Sequence, residues 1–280
     1  MSRYSGGRGG GAGRTVWRAR SDEVAAALAR TVQRRRSLGA TASSTTVVGP
    51  TIVGMAHLHR AGMDPSKIAL LDAWVPTQPW FEGPAPSSGD DGLRNVAAFR
   101  FDDPAGEVGV ETIIVATADG VQLQVPLTYR AAPLAGADAH LVGTTQHAVL
   151  GERWVYDGTA DPVWAAALAT AVLTGGTQAE AWFEVDGVRE VREPNSTVVG
   201  SGSPGASVPD VDRVTVDQVE GRTVVTGAAV RIVVARVLGR HDAGALASTG
   251  GHTGDHGVEV LTGTWTGHDQ PETLAVVLTA

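Results

Sequence analysis

At 280 residues with 42% hydrophobic content the chain can bury a full core, which excludes a wholly disordered protein. The absence of cysteine excludes disulfides, thiolate catalysis and cysteine-ligated zinc. The net charge of −8 hides an asymmetry: residues 1–54 carry nine arginines against two acids, and the remainder thirteen basic against twenty-eight acidic residues. An acidic body repels a phosphate backbone, so a nucleic-acid function is not expected, and no apolar run reaches the ~20 residues of a membrane span.

Residues 1–54 read as a separate, disordered basic extension. Ser5 to Gly13 is glycine-rich, and Arg34-Arg35-Arg36 ends a short helical pattern. Translation beginning at Met55 would make this extension an over-assigned start. A twin-arginine export signal at Arg35-Arg36 is the competing reading, although the following segment is polar and lacks a clean cleavage site. From Met55 the sequence is ordered. Asp64-Pro65 opens a helix carrying Ile68, Leu71 and Trp74, and Pro76 ends it. Gln78, Trp80 and Phe81 follow in a proline-bounded loop.

The pattern then turns to strands. They are expected over Val96–Phe101, Val108–Ala116 and Val121–Tyr129, with Asp119-Gly120 as a hairpin turn and Pro126 marking an edge or bulge. Thr145 to Tyr156 reads as the strand that enters a central helix. Asp161 caps that helix, Pro162 takes its first position and Gly175-Gly176 stops it. Its residues Trp164, Leu168, Val172 and Leu173 are too apolar to face water. Asp186-Gly187 and Glu220-Gly221 mark further hairpins, Gly200 to Pro209 a linker or long loop, and Arg240 to Gly257 a loop. Dense valine and isoleucine over Arg222–Leu238, Val258–Trp265 and Thr273–Leu278 complete the strands. The fold class is α+β, antiparallel, with few helices and no βαβ repeat.

Motifs for known chemistries are weak. No glycine-rich segment has the phosphate-loop pattern, and Lys67, the only lysine, sits at a helix start. His241-Asp242 lacks the asparagine of a kinase catalytic loop. Gly200-Ser201-Gly202-Ser203-Pro204 is a poor nucleophile elbow. His252, Asp255, His256 and His268 have metal-like spacing only on a helix, which Gly251, Gly254 and Gly257 disfavour. His57 and His59 read as surface residues. No catalytic residue, metal site or cofactor is therefore assigned. The aromatic and polar residues Gln78, Trp80, Trp154, Tyr156, Asp157 and Gln178 form the candidate surface for a sugar or a protein partner. The rival expectation is a carboxylate enzyme drawing on Glu111, Glu152, Asp157, Asp161 or Glu180, none of which the sequence pairs.

The segments LLDAWVPTQPWF (Leu70–Phe81), VGVETIIVATADG (Val108–Gly120), VPLTYRAAPLAGA (Val125–Ala137) and His147–Glu180 resemble the maltokinase N-terminal cap-like domain of actinobacteria. The resemblance is taken to run from Met55 to the C-terminus, making residues 55–280 one domain. It implies a curved antiparallel sheet packed on a few helices, cystatin-like in outline. It also implies a cytoplasmic setting in trehalose, maltose and α-glucan metabolism, where maltokinases place such a cap ahead of the kinase lobes that hold the catalytic residues. The chain ends where a kinase would begin, so no catalytic residue carries over. The expectation is a stand-alone accessory domain whose partner is a separate maltokinase-like or trehalose- or glucan-metabolising enzyme, or a sugar.

Overall fold

The computed structural model describes residues 55–57, 62–83, 92–185, 188–191, 193–219, 221–251 and 257–279. The expectations for residues 1–54, for His59 and the His57 side chain, for the turn residues Asp186, Gly187 and Glu220, and for His252, Asp255 and His256 lie outside the described residues. In chain order come β1 (Met55–His57), β2 (Met63–Asp64), α1 (Lys67–Trp74), β3 (Arg94–Phe101), β4 (Gly109–Ala116) and β5 (Gln122–Arg130). They are followed by β6 (Leu141–His147), β7 (Gly151–Asp157), α2 (Pro162–Thr174), β8 (Glu180–Val185), β9 (Val188–Val191) and β10 (Ser196–Gly200). The remainder is β11 (Thr215–Val219), β12 (Arg222–Thr226), β13 (Val230–Ala235), α3 (Ala243–Thr249), β14 (Val258–Trp265) and β15 (His268–Thr279).

The α+β expectation of antiparallel sheet against few helices holds, but the sheet is doubled. One six-stranded antiparallel sheet has the order β2-β6-β7-β5-β4-β3, and a second has the order β10-β14-β15-β13-β12-β11. A small third sheet, β1-β8-β9, contains a parallel pair between β1 and β8. Register shifts in β3, β6 and β15 bend the strands and help to curl the sheets.

Strand alternation distributes the core. On β4, Val110 and Ile114 join the cluster around α2, while Ile113 and Val115 join the one around α1. The α2 cluster also draws Val198, Val225, Ile232, Val234, Leu261 and Val277 from the second sheet, so α2 is packed between the two sheets. Trp164, Ala165, Leu168, Ala169 and Val172 are all at most 2% exposed, which explains a helix with almost no polar stripe. Each such leucine or valine contributes roughly 1.5–3 kcal/mol by leaving water. α3 covers the opposite face of the second sheet through Leu246, against Val233, Val260 and Val276.

The ends of α2 form as the sequence predicts. Asp161 accepts a hydrogen bond from the amide of Val163 at 3.0 Å, Pro162 is the first helical residue, and Gly175 closes the helix at φ 70°. The segment read as a linker or long loop is a loop, and it caps the helix further. The amides of Gly202 and Ser203 donate to the carbonyls of Val172 and Leu173, both at 2.9 Å, satisfying acceptors that a helix end leaves open.

Several expectations are corrected. Ser66, not Asp64, caps α1, with its hydroxyl accepting from Ala69 at 3.2 Å, and the Asp64–Pro65 peptide is cis and precedes the helix. Thr145–Tyr156 is not one strand. β6 and β7 form a hairpin around Ala148–Leu150, whose tip is fastened when the amides of Val149 and Leu150 donate to His147 Nδ1. Ala148–Leu150 are apolar, and the turn's composition signal is Gly151 alone, at φ 72°. Arg222–Leu238 likewise breaks into the β12–β13 hairpin at Gly227, and Arg240–Gly257 contains α3, capped by Asp242. The hairpin at Asp119-Gly120 forms, with Gly120 at φ 88° and the turn closed by Thr117 and Val121.

Pro126 marks the joint between the sheets. Before it, β5 pairs on its outer side with the extension of β13: Gln124 N donates to Arg236 O at 2.9 Å and Leu238 N to Gln122 O at 2.9 Å. After it, from Leu127 onward, β5 pairs with β7. A residue without an N–H sits between the two pairings, where β4 is its only strand partner.

Candidate functional site

The joint at Pro126 brings a charged residue into the core. Arg236 follows Val230, Ile232 and Val234 in strand phase and is 0% exposed. Its Nη2 donates to Asp157 Oδ2 at 2.5 Å and to Thr159 Oγ1 at 3.0 Å, and its Nε donates to Thr223 Oγ1 at 2.6 Å. The guanidinium carbon lies 4.9 Å from the centroid of the Trp80 ring, a cation–π contact away from water. Burial pushes the Arg236 pKa down from its ordinary value, and the charge and hydrogen bond of Asp157 oppose that shift. The cluster ties the loop after α1, the end of β7 and the second sheet into one unit.

A second cluster lies on the α1 side of the first sheet. Glu111 accepts from Lys67 Nζ at 2.5 Å, Tyr129 OH at 2.7 Å and Arg100 Nη2 at 3.1 Å. Its side chain is 7% exposed. Burial alone raises the carboxyl pKa, but the charges of Arg100 and Lys67 and the hydrogen bonds prevail and hold it at about 2. Burial, and then the Glu111 charge, push the Tyr129 phenol well above its usual value. A third pair joins the first sheet to α2. Arg130 Nε and Nη2 each reach one oxygen of Asp161 at 2.7 Å, a bidentate grip on the residue that also caps the helix.

The residues singled out in the sequence divide between these surroundings. Trp80 and Asp157 meet at Arg236, and both are 1% exposed. Tyr156, also 1% exposed, accepts the amide of Leu134 at its hydroxyl. Trp154 is half-buried on β7. Gln78 is half-buried in the turn after α1, bonded to Thr77 and Trp74. Gln178 is half-buried and bonded to Val198 and Ser196 of β10. Gln78, Trp154 and Gln178 thus keep solvent access, while Trp80, Tyr156 and Asp157 face protein.

The five carboxylates considered for catalysis are also placed. Glu111, Asp157 and Asp161 are buried, each against its own cations: Lys67 and Arg100, Arg236, and Arg130. Glu152 and Glu180 are exposed. The buried three therefore work as counter-ions, with no cation shared between any two of them. Sequence reasoning missed Arg236. Its signal is a cation in phase with an inward-facing row of valine and isoleucine, a position where only a paired charge is tolerated. Among the described residues no group of three histidine, aspartate or glutamate side chains is arranged to hold a metal, and no helix is long and apolar enough to cross a membrane.

Residues 74–161 match the model of the maltokinase N-terminal cap domain. That span runs from the last residue of α1 to the cap of α2 and contains β3 to β7 with Arg100, Glu111, Tyr129 and Asp157, but not Lys67. It covers 88 of the 280 residues, a narrower stretch than the resemblance drawn from Met55 onward. No curated protein matches the chain.

Proposed function

We propose, from the premise that residues 74–161 form a maltokinase N-terminal cap-like domain, that this chain is a binding module without a reaction of its own. Residues 55–280 form its domain, and it serves trehalose, maltose or α-glucan metabolism in the cytoplasm. It recruits a separate maltokinase-like or trehalose- or glucan-converting enzyme. One observation carries the reading: the buried carboxylates that a sugar-processing site would use are each held as structural counter-ions. A general acid needs a carboxyl that gives up its proton near neutral pH, and Glu111, held at about 2, is ionised far below that range. The half-buried Gln78, Trp154 and Gln178 remain as polar and aromatic contacts for the partner.

The test is affinity capture with the tagged chain from lysate of its own organism, with mass-spectrometric identification. Enrichment of a maltokinase-like, trehalose-converting or glucan-converting enzyme is the expected result. Capture of no carbohydrate enzyme, together with saturable binding of maltose or a maltooligosaccharide, would replace the protein partner with a sugar.

A further inference from the structure

Three of the four edges of the two large sheets are closed or short. β2 has two residues. The outer side of β3 is capped by Asn195 Oδ1 accepting from Ala98 N, Ser196 Oγ donating to Ala98 O, and Ala179 N donating to Arg100 O. β10 is capped by Gln178, which accepts from Val198 N and donates to Ser196 O, and by Gly200 N donating to Gly176 O. Such caps keep an edge from pairing with another chain.

β11 is different. It pairs with β12 alone, through the register Thr215↔Thr226 to Val219↔Arg222. Two residues separate Val219 from Arg222, and that connection makes them a hydrogen-bonded pair. Antiparallel alternation then turns the N–H and C=O groups of Val216 and Gln218 outward. Among the described residues no cap reaches them. The Gln218 side chain is engaged inward, accepting from Thr223 Oγ1 at 2.8 Å. Beside this edge Asp210, Asp212 and Asp217 are exposed, against a single exposed Arg213.

We infer that β11 is a docking edge that takes an extended basic segment of a partner protein as an added antiparallel strand. The main-chain groups of Val216 and Gln218 supply the ladder, and the acidic flank selects arginine or lysine. A second copy of the chain is a poor occupant, because self-pairing about Asp217 sets two carboxylates opposite each other. This inference rests on the reading of the chain as a binding module and names how the partner is held.

The test uses the full chain and a labelled synthetic peptide alternating valine with arginine and threonine, followed by fluorescence anisotropy. Saturable binding is expected, and a counterpart with glutamate for arginine should bind at least about tenfold more weakly. Val216→Pro removes an outward N–H and leaves the ladder to β12 intact, so the variant should keep its melting temperature and lose at least about tenfold in peptide affinity. Asp217→Lys should reverse the order of the two peptides, and it decides the matter where Val216→Pro does not fold. Absence of saturable binding, equal binding of both peptides, or unchanged affinity in folded Val216→Pro would each overturn the proposal. So would a dimer that dissociates on Val216→Pro, which would assign the edge to a second copy. Capture of a carbohydrate enzyme that survives Val216→Pro would discard the edge and leave the module; peptide binding without such capture would keep the edge and discard the partner class.

Discussion

Arg236 and Asp157, far apart in sequence and contributed by different sheets, meet at 2.5 Å with both side chains almost wholly removed from water. Each charge makes the other tolerable. Removing one partner strands the other, and the cost of breaking such a buried pair is about 3–5 kcal/mol. Arg236→Met and Asp157→Leu should each lose about that much in urea unfolding. The double variant should lose clearly less than the sum, because no charge is then left unpaired. Additive losses would show that the pair is not coupled.

Glu111 contributes to the acid sensitivity of the fold. Its folded pKa, about 2, lies below the ordinary 4.5, so its contribution is fully present above pH 4.5 and is lost as pH falls through that window toward 2. A depression of this size corresponds to ~3 kcal/mol. Stability measured in urea between pH 6 and pH 2.5 should fall steeply, and Glu111→Gln should be less stable at pH 6 with a flatter profile. Parallel profiles for the two proteins would remove Glu111 from this role.

Asp161 has two duties that two substitutions separate. Asp161→Asn keeps a side-chain oxygen for the amide of Val163 and gives up the charge facing Arg130. Asp161→Ala gives up both, and should be less stable than the asparagine variant by about 1 kcal/mol, the usual worth of an N-cap. Thermal unfolding of the pair checks the difference.

The loop that closes α2 leaves no room for a side chain at Gly200 or Gly202. A Cβ on Gly202 would lie 1.9 Å from the Leu173 carbonyl oxygen, and one on Gly200 2.2 Å from that of Ala171. Gly202→Ala must displace the loop and break its hydrogen bonds to the helix end, so a loss of about 2 kcal/mol or more is expected. Gly62→Ala, where nothing lies within 4 Å of the new methyl, is the control and should change stability by no more than about 0.5 kcal/mol.

Local grammar carried most of what was legible in the sequence. Asp161, Pro162 and Gly175 bound α2 because capping chemistry acts over one turn. Pro126 signals an edge or a bulge, whereas the structure holds it on the interior strand β5, at the exchange of partners between β7 and the β13 extension. What stayed hidden depends on distant residues. The Gly200–Pro209 stretch read as a linker or long loop, and its role as a helix cap was hidden because the partners of Gly202 and Ser203 are carbonyls of a helix some thirty residues earlier. Trp80 and Asp157 were picked out as surface residues, and both are buried where they meet Arg236, about eighty residues beyond Asp157. One local feature was also overlooked: the turn Ala148–Leu150 is apolar, but it is fastened by the neighbouring His147 ring and ends on Gly151 at φ 72°.

The most direct test of a module without its own reaction is the initial rate of ADP release by the purified full chain with ATP, magnesium and maltose. The expected rate equals the protein-free blank at every protein concentration. A rate proportional to protein concentration, and lost in Glu111→Gln, would contradict it and return the buried carboxylate to catalysis.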